Sequence, residues 1–117
     1  MRKTRRTSRV GETLRDALVE VFRHDLRDAR LELISITEVE VSPDLHLARV
    51  FLSGLKEEDV RQMVKELHAQ RGKIRHFLGQ KIRLRYTPEL DFRYDDTSAR
   101  AGRIEQLLSD IKNDDNA

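Results

Sequence analysis

Residues 67–85 read LHAQRGKIRHFLGQKIRLR, a helical pattern that breaks near a glycine and then resumes. The chain has no acidic residue between Glu66 and Glu89, and it carries six basic residues there, which are Arg71, Lys73, Arg75, Lys81, Arg83 and Arg85. Dense positive charge supplies affinity for a polyanion, and Gly72 lets the main chain approach a ligand closely. The segment indicates either a phosphate-binding break between two helices or the solvated basic face of a small domain.

The net charge of +2 hides a strong segregation of charge along the chain. Residues 1–10 hold five basic and no acidic residues, whereas the chain outside residues 1–10 and 67–88 holds 12 basic against 21 acidic residues. Positive charge confined to two places favours a directed polyanion-binding face. The basic residues of the first segment are Arg2, Lys3, Arg5, Arg6 and Arg9. We expect residues 1–8 to form an arm that is mobile when free and orders on RNA; an arm that only keeps the protein soluble is the alternative.

Composition excludes several classes of protein. A length of 117 residues with 38% hydrophobic residues predicts one domain with one two-layer core. The absence of cysteine excludes disulfides, thiolate metal sites and cysteine nucleophiles, and it favours a reducing cytosol. Aromatic residues make up only 5% of the chain, which argues against a surface of stacked aromatics. No apolar run is long enough to span a membrane or to form a signal peptide.

The N-terminal half predicts a helix followed by a β-hairpin. Apolar residues at helical spacing indicate a helix that begins at Val10, after a cap at Thr7 or Ser8. Residues 31–42 are rich in β-branched residues and predict a strand with a bulge near its middle, where the alternation changes phase. Residues 45–53 carry apolar residues on both faces, which is typical of a central strand. The short proline turn between the strands makes them antiparallel.

The C-terminal half predicts two helices, a strand and a last helix. The helical pattern from Lys56 breaks at residues 70–72 and resumes as far as Gly79. Alternating apolar residues predict a third strand over residues 82–94, with Arg83 and Arg85 on the face away from the core. Pro88 cannot donate to a ladder and places this strand at an edge or at a bulge. A helix capped by Asp95, Asp96, Thr97 and Ser98 and a disordered tail over residues 112–117 complete the chain.

The predicted order of elements is therefore α-β-β-α-α-β-α, an α+β fold. The αα connection is long enough for a right-handed parallel crossover. We expect a three-stranded mixed sheet in the order 1-2-3, with the helices packed on one face.

This order of elements resembles a type II KH domain, and five strings in matching order resemble the bacterial ribosome-binding factor A family. They are Arg9-Val10, ITEVEVSPDLHLARVFLS (36–53), GKIRHFLG (72–79), LRYTPELDFRYDDT (84–97) and RIEQLL (103–108). The resemblance covers nearly the whole chain. It implies a KH-like RNA-binding domain over residues 9–111. In this family a helix kink, usually Ala-x-Gly, replaces the GxxG loop of other KH domains. Here the kink reads Gln70-Arg71-Gly72, so the alanine is replaced by glutamine.

The resemblance also implies a function. It indicates a cytoplasmic, monomeric assembly factor that binds the free 30S ribosomal subunit and 16S rRNA, without catalysis, cofactor, DNA or membrane. Such a factor assists late 30S maturation and 5′-end processing of the 16S rRNA precursor and is needed for growth in the cold. The alternative is a protein-interaction or self-association module that uses an exposed edge of the sheet.

The basic residues and Gly72 are the predicted RNA contacts. For Arg75 an alternative is a structural pair with an acid such as Asp95 or Asp96, and Arg9 is the arm residue most expected to be held by the first helix. Enzymatic chemistry is not indicated, because the chain has no Walker, GxGxxG or nucleophile-elbow motif. His68 and His76 lie on opposite sides of the helix break, so they do not predict a metal site.

Overall fold

The computed structural model describes residues 1–97, which form three helices packed on a three-stranded sheet. The helices are α1 (Arg5–Glu20), α2 (Glu57–Ala69) and α3 (Arg71–Lys81), and the strands are β1 (Ser35–Val41), β2 (Leu47–Ser53) and β3 (Glu89–Tyr94). The strand order is β1-β2-β3, with β1 antiparallel and β3 parallel to β2. The predicted α+β class and mixed sheet are confirmed. The predicted last helix and tail lie outside the described residues.

Helix α1 begins at Arg5, earlier than the predicted start at Val10. The reason is a reciprocal cap: the Thr4 hydroxyl accepts from the Thr7 amide at 3.1 Å, and the Thr7 hydroxyl accepts from the Thr4 amide at 2.8 Å. Thr7 is therefore buried inside the first turn rather than capping it. Residues 5–8, expected to be part of a mobile arm, are helical. The chain continues past α1 as a π-helical turn, Val21–Asp25.

The predicted strand over residues 31–42 is shorter than expected. Its first part belongs to a 3₁₀ turn, Ala29–Leu33, because the Asp28 carboxylate accepts from the Arg30 amide at 3.0 Å and caps that turn. Strand β1 then shows the predicted bulge, since its register against β2 shifts between Ile36 and Glu38. The Arg15 guanidinium donates to the Ile36 carbonyl at 3.0 Å and ties α1 to the bulge.

Strand β2 occupies the centre of the sheet, as predicted. Its inward residues Ala48, Val50 and Leu52 are fully buried beneath the helices. Helix α1 packs against β1 so closely that a Cβ at Gly11 would lie 2.5 Å from the Val39 carbonyl oxygen, so this position requires glycine. The core is one apolar layer between helices and sheet. Within residues 1–97 no helix has both the length and the apolar character needed to cross a bilayer.

Strand β3 covers only the second half of the predicted third strand. Residues 82–88 have no strand to pair with, because β2 begins at Leu47 opposite Glu89 and the preceding chain turns away at Leu45, which has a φ of 63°. The first residue of β3 is Glu89, and its amide donates to the His46 carbonyl at 2.8 Å. The prediction of a strand over residues 82–88 is therefore wrong. Among the strands of residues 1–97, β3 lies at an edge, which is one of the two positions that Pro88 predicts.

Candidate nucleic-acid interface

The two helices of the opening motif meet at a single residue, Gln70. The Gln70 amide donates to the carbonyls of Glu66 and Leu67 at 3.2 and 3.0 Å, and the Gln70 carbonyl accepts from the Ile74 amide at 3.0 Å. Its backbone, with φ −100° and ψ 10°, ends α2 and starts α3 without a loop. The break therefore lies at Gln70 rather than at Gly72, which is inside the first turn of α3.

The first residues of α3 form an exposed basic corner, which we call the kink surface and define as Arg71, Gly72 and Lys73. Arg71 donates to the His68 carbonyl at 3.0 Å, so its guanidinium group is fixed beside the end of α2. A Cβ at Gly72 would meet no atom within 4 Å, and Gly72 does not have a positive φ. The described protein itself therefore gives no steric reason for glycine at this position.

The charge at the start of α3 opposes the helix dipole. The N-terminus of a helix carries a partial positive charge that acidic residues or bound anions stabilise. The first turn of α3 has no acidic residue, whereas that of α2 has Glu57, Glu58 and Asp59. The kink surface thus combines two cationic side chains with a positive helix end. This arrangement suits a phosphate group.

Two of the predicted contact residues are engaged inside the protein. Arg75 donates to the carbonyls of Thr87 and Pro88 at 2.7 and 3.0 Å and lies 3.6 Å from a Glu89 carboxylate oxygen. It therefore ties α3 to the start of β3. The alternative of a structural pair with an acid is met by Glu89 rather than by Asp95 or Asp96. Lys81 ends α3 and lies 3.1 Å from the Asp25 carboxylate.

The remaining predicted contacts lie on two other parts of the surface. Arg83 and Arg85 are exposed in the irregular segment before β3, and the Arg85 guanidinium lies 5.4 Å from the centre of the Tyr86 ring. At the N-terminus, Arg2, Arg5, Arg6 and Arg9 are exposed. Lys3 instead forms an ion pair with Glu38, and this hydrogen-bonded carboxylate raises the pKa of Lys3.

No group of three or more metal-ligating side chains comes together within residues 1–97. His76 contacts the Gln80 side-chain amide at 3.4 Å, one helical turn away. The feature of the described surface that suits a ligand is the exposed positive charge of Arg71 and Lys73, which suits a polyanion.

A family model, related sequences and related structures all point to one protein family. The family model described as Ribosome-binding factor A matches residues 6–108. A Coxiella burnetii protein named ribosome-binding factor A is 40% identical over 113 residues, which are 96% of this chain and 95% of that protein.

A crystal structure and a homology model fitted into a cryo-EM map are similar in fold. The crystal structure of ribosome-binding factor A from Thermus thermophilus has a TM-score of 0.66 at 25% identity and covers 75% of this chain and 94% of its own. A homology model of the Thermus thermophilus ribosome-binding factor A, fitted into a cryo-EM map of its complex with 30S, has a TM-score of 0.62 at 26% identity, over 74% of this chain and 92% of its own. The chain therefore belongs to the ribosome-binding factor A family.

Proposed function

We propose that this protein is a non-catalytic assembly factor that binds the free 30S ribosomal subunit through 16S rRNA. It assists late 30S maturation and 5′-end processing of the 16S rRNA precursor, acts as a monomer in the cytoplasm and supports growth in the cold. The family assignment and the similarity to a protein seen in a 30S complex support this proposal.

The main structural support for the proposal is the charge of the kink surface. Arg71 and Lys73 are exposed at the positive end of α3 and have no ion pair with any described residue. Like charges at that end are unfavourable unless an anion binds between them. Glycine inside a helix also costs roughly 0.5–1 kcal/mol relative to alanine. Gly72 has no packing reason in the described chain to offset that cost, which is consistent with close approach of an RNA backbone.

The engagement of Arg75 and Lys81 narrows the proposed RNA contacts. Each cation already has an acidic partner in the protein, Glu89 for Arg75 and Asp25 for Lys81, so they contribute mainly to positioning α3. We propose that Arg71, Gly72 and Lys73 make the central contacts and that Arg83, Arg85, Arg2, Arg5, Arg6 and Arg9 add longer-range attraction.

The test is subunit binding by the double variant Arg71→Gln, Lys73→Gln. We expect the wild-type protein to co-sediment with free 30S subunits and the variant to stay at the top of the gradient at moderate salt. The dependence of log K on log salt should also become shallower, by roughly 1.4–1.8 if two phosphate contacts are lost. The matched control is Lys56→Gln, Arg61→Gln, which removes the same charge from the acidic start of α2 and should bind like wild type.

The competing function is a protein-interaction module, favoured by the edge position of β3 among the described strands. Pairing through a sheet edge relies on main-chain hydrogen bonds and responds weakly to salt. Binding that is insensitive to salt and unchanged in the double variant would replace the RNA proposal with this one.

A further inference from the structure

A second concentration of positive charge lies away from both basic segments of the sequence. A cavity of about 800 Å³ opens between the end of α1, the π-helical turn and the start of β1. Three arginines line it, Arg15, Arg23 and Arg27, and all three are exposed. Its volume falls within the range of about 300–1,000 Å³ that is typical of small-ligand sites.

Three local irregularities hold these arginines at the cavity. Arg15 is anchored by its Nε to the Ile36 carbonyl at the β-bulge. Arg23 lies in the π-helical turn, a feature that is frequent at functional sites. Arg27 has a φ of 51°, which an arginine rarely adopts, and its Nε donates to the His24 carbonyl at 3.4 Å. Such strain clusters at ligand-binding positions.

The anchoring leaves the outer nitrogens of two guanidinium groups available. For both Arg15 and Arg27 the bond inside the protein uses Nε, so the two Nη groups have no described hydrogen bond. A planar guanidinium group that is held in this way is pre-organised to bind a phosphate through parallel hydrogen bonds.

Within residues 1–97 no acid forms an ion pair with Arg15, Arg23 or Arg27. Glu20 lies 3.5 Å from His24, and Asp25 pairs with Lys81. Asp28 lines the cavity but lies 2.7 Å from Arg30, whose hydrogen bonds lower the pKa of that carboxyl. Among the described lining residues, only Glu32 is an acid without an ion pair. The cavity is therefore net positive.

The cavity also has an apolar side. Val19, Phe22 and Ile34 line it together with the arginines, and Phe22 is itself almost fully buried. A ligand that joins a phosphate to a flat, partly apolar body fits both parts of such a cavity. We propose that it is a binding site for a nucleotide unit, with Arg15, Arg23 and Arg27 on the phosphate and the apolar side against the base.

The experiment is an NMR titration of the full-length, isotope-labelled protein. The probes are inorganic phosphate, uridine 5′-monophosphate and a short single-stranded oligouridylate, which separate a bare anion, a free nucleotide and RNA. We expect the amide signals of residues 23–36 to shift with both nucleotide probes. Stronger binding of oligouridylate identifies RNA as the source, and equal binding identifies a free nucleotide; either result supports the site.

Two variants complete the test. Arg23→Gln, Arg27→Gln should weaken nucleotide binding at the cavity by roughly tenfold or more, since charge-assisted hydrogen bonds are lost. The control variant Lys56→Gln, Arg61→Gln removes the same amount of charge from the start of α2, and it should leave nucleotide binding at the cavity unchanged. Arg15 is kept in both variants because it supports the bulge, and thermal unfolding verifies that each variant is folded.

Unchanged signals around the cavity, shifts with inorganic phosphate alone, or wild-type affinity in the folded Arg23→Gln, Arg27→Gln variant would overturn the proposal. The Arg71→Gln, Lys73→Gln variant separates this site from the kink surface. If that variant loses subunit binding while no nucleotide binds the cavity, the proposed function stands and the second site does not exist.

Discussion

Helices α2 and α3 share Gln70, yet they begin in opposite electrostatic surroundings. The first turn of α2 contains Glu57, Glu58 and Asp59, which neutralise the positive end of that helix. The first turn of α3 contains Arg71 and Lys73 and no acid. The two helix starts therefore differ in charge: acidic residues neutralise the positive end of α2, and no acidic residue of its own first turn neutralises that of α3.

A binding surface is recognised by the charges that the rest of the chain leaves unneutralised. Arg30 shows the opposite case, because it reaches from Asp28 to Glu66 in α2 with hydrogen bonds of 2.7 to 3.1 Å. Its charge is neutralised inside the protein, and these hydrogen bonds raise the pKa of its guanidinium group. Arg30 and Lys81 are also basic, but they form ion pairs with acids of the same chain. Such residues stabilise the fold rather than bind a ligand.

The largest expected effect comes from giving α3 the acidic start of α2. The variant Arg71→Glu, Lys73→Glu should weaken 30S binding roughly 100-fold or more, because hydrogen bonds to charged groups contribute about 1.5–3 kcal/mol each. Its free energy of unfolding should stay equal or rise, by about 0.3–1 kcal/mol per favourable charge. Quantitative sedimentation and urea denaturation measure the two quantities. Wild-type binding by the folded variant would contradict the role of the kink surface.

The reverse change makes α2 resemble α3. The variant Glu57→Gln, Glu58→Gln, Asp59→Asn should lower the free energy of unfolding by about 1–2 kcal/mol in total, because the helix dipole loses its compensation. The i,i+4 ion pair of Glu57 with Arg61, at 3.1 Å, is lost as well. Urea denaturation measures the change. Binding to 30S subunits should be unaffected, and a large loss of binding would show that the two helix starts are not functionally distinct.

The smallest expected effect is on the free energy of unfolding, and it differs in sign between Gly72 and Gly11. Gly72→Ala should raise the free energy of unfolding by about 0.5–1 kcal/mol, since the site is open and alanine favours helix, and should at the same time weaken 30S binding. Gly11→Ala is the control, because its Cβ would collide with the Val39 carbonyl and should destabilise the protein. If Gly72→Ala binds as well as wild type, close approach of RNA at this residue is excluded.

Much of the fold could be predicted from local pattern. The hairpin, the bulge in β1 and the central place of β2 follow from alternation and from the two apolar faces of residues 45–53. The predicted third strand is too long because Ile82 and Leu84 alternate in burial with Arg83 and Arg85 even where no ladder exists. Alternation reports which side chains are half-buried, and it does not report whether a neighbouring strand is present.

The candidate site could be predicted only in part, for a related reason. The density of charge around Gly72 cannot separate the exposed residues Arg71 and Lys73 from Arg75, whose partners lie 12 to 14 residues away in the segment before β3 and at its start. The cavity arginines give no signal at all. They are scattered among acids in the sequence, and only the folded chain shows that Asp25 and Asp28 pair with Lys81 and Arg30.

The single-residue junction at Gln70 also has a consequence for the rates at which the protein would associate with RNA and dissociate from it. A recognition loop must be ordered when it binds, at about 1–2 kcal/mol of conformational entropy for each backbone residue. The kink surface lies in the first turn of α3, and α2 ends one residue before Gln70, so that entropy was already lost when the protein folded. Docking of such a rigid corner is limited by orientation rather than by folding, and release needs only the exchange of a few phosphate contacts for counterions.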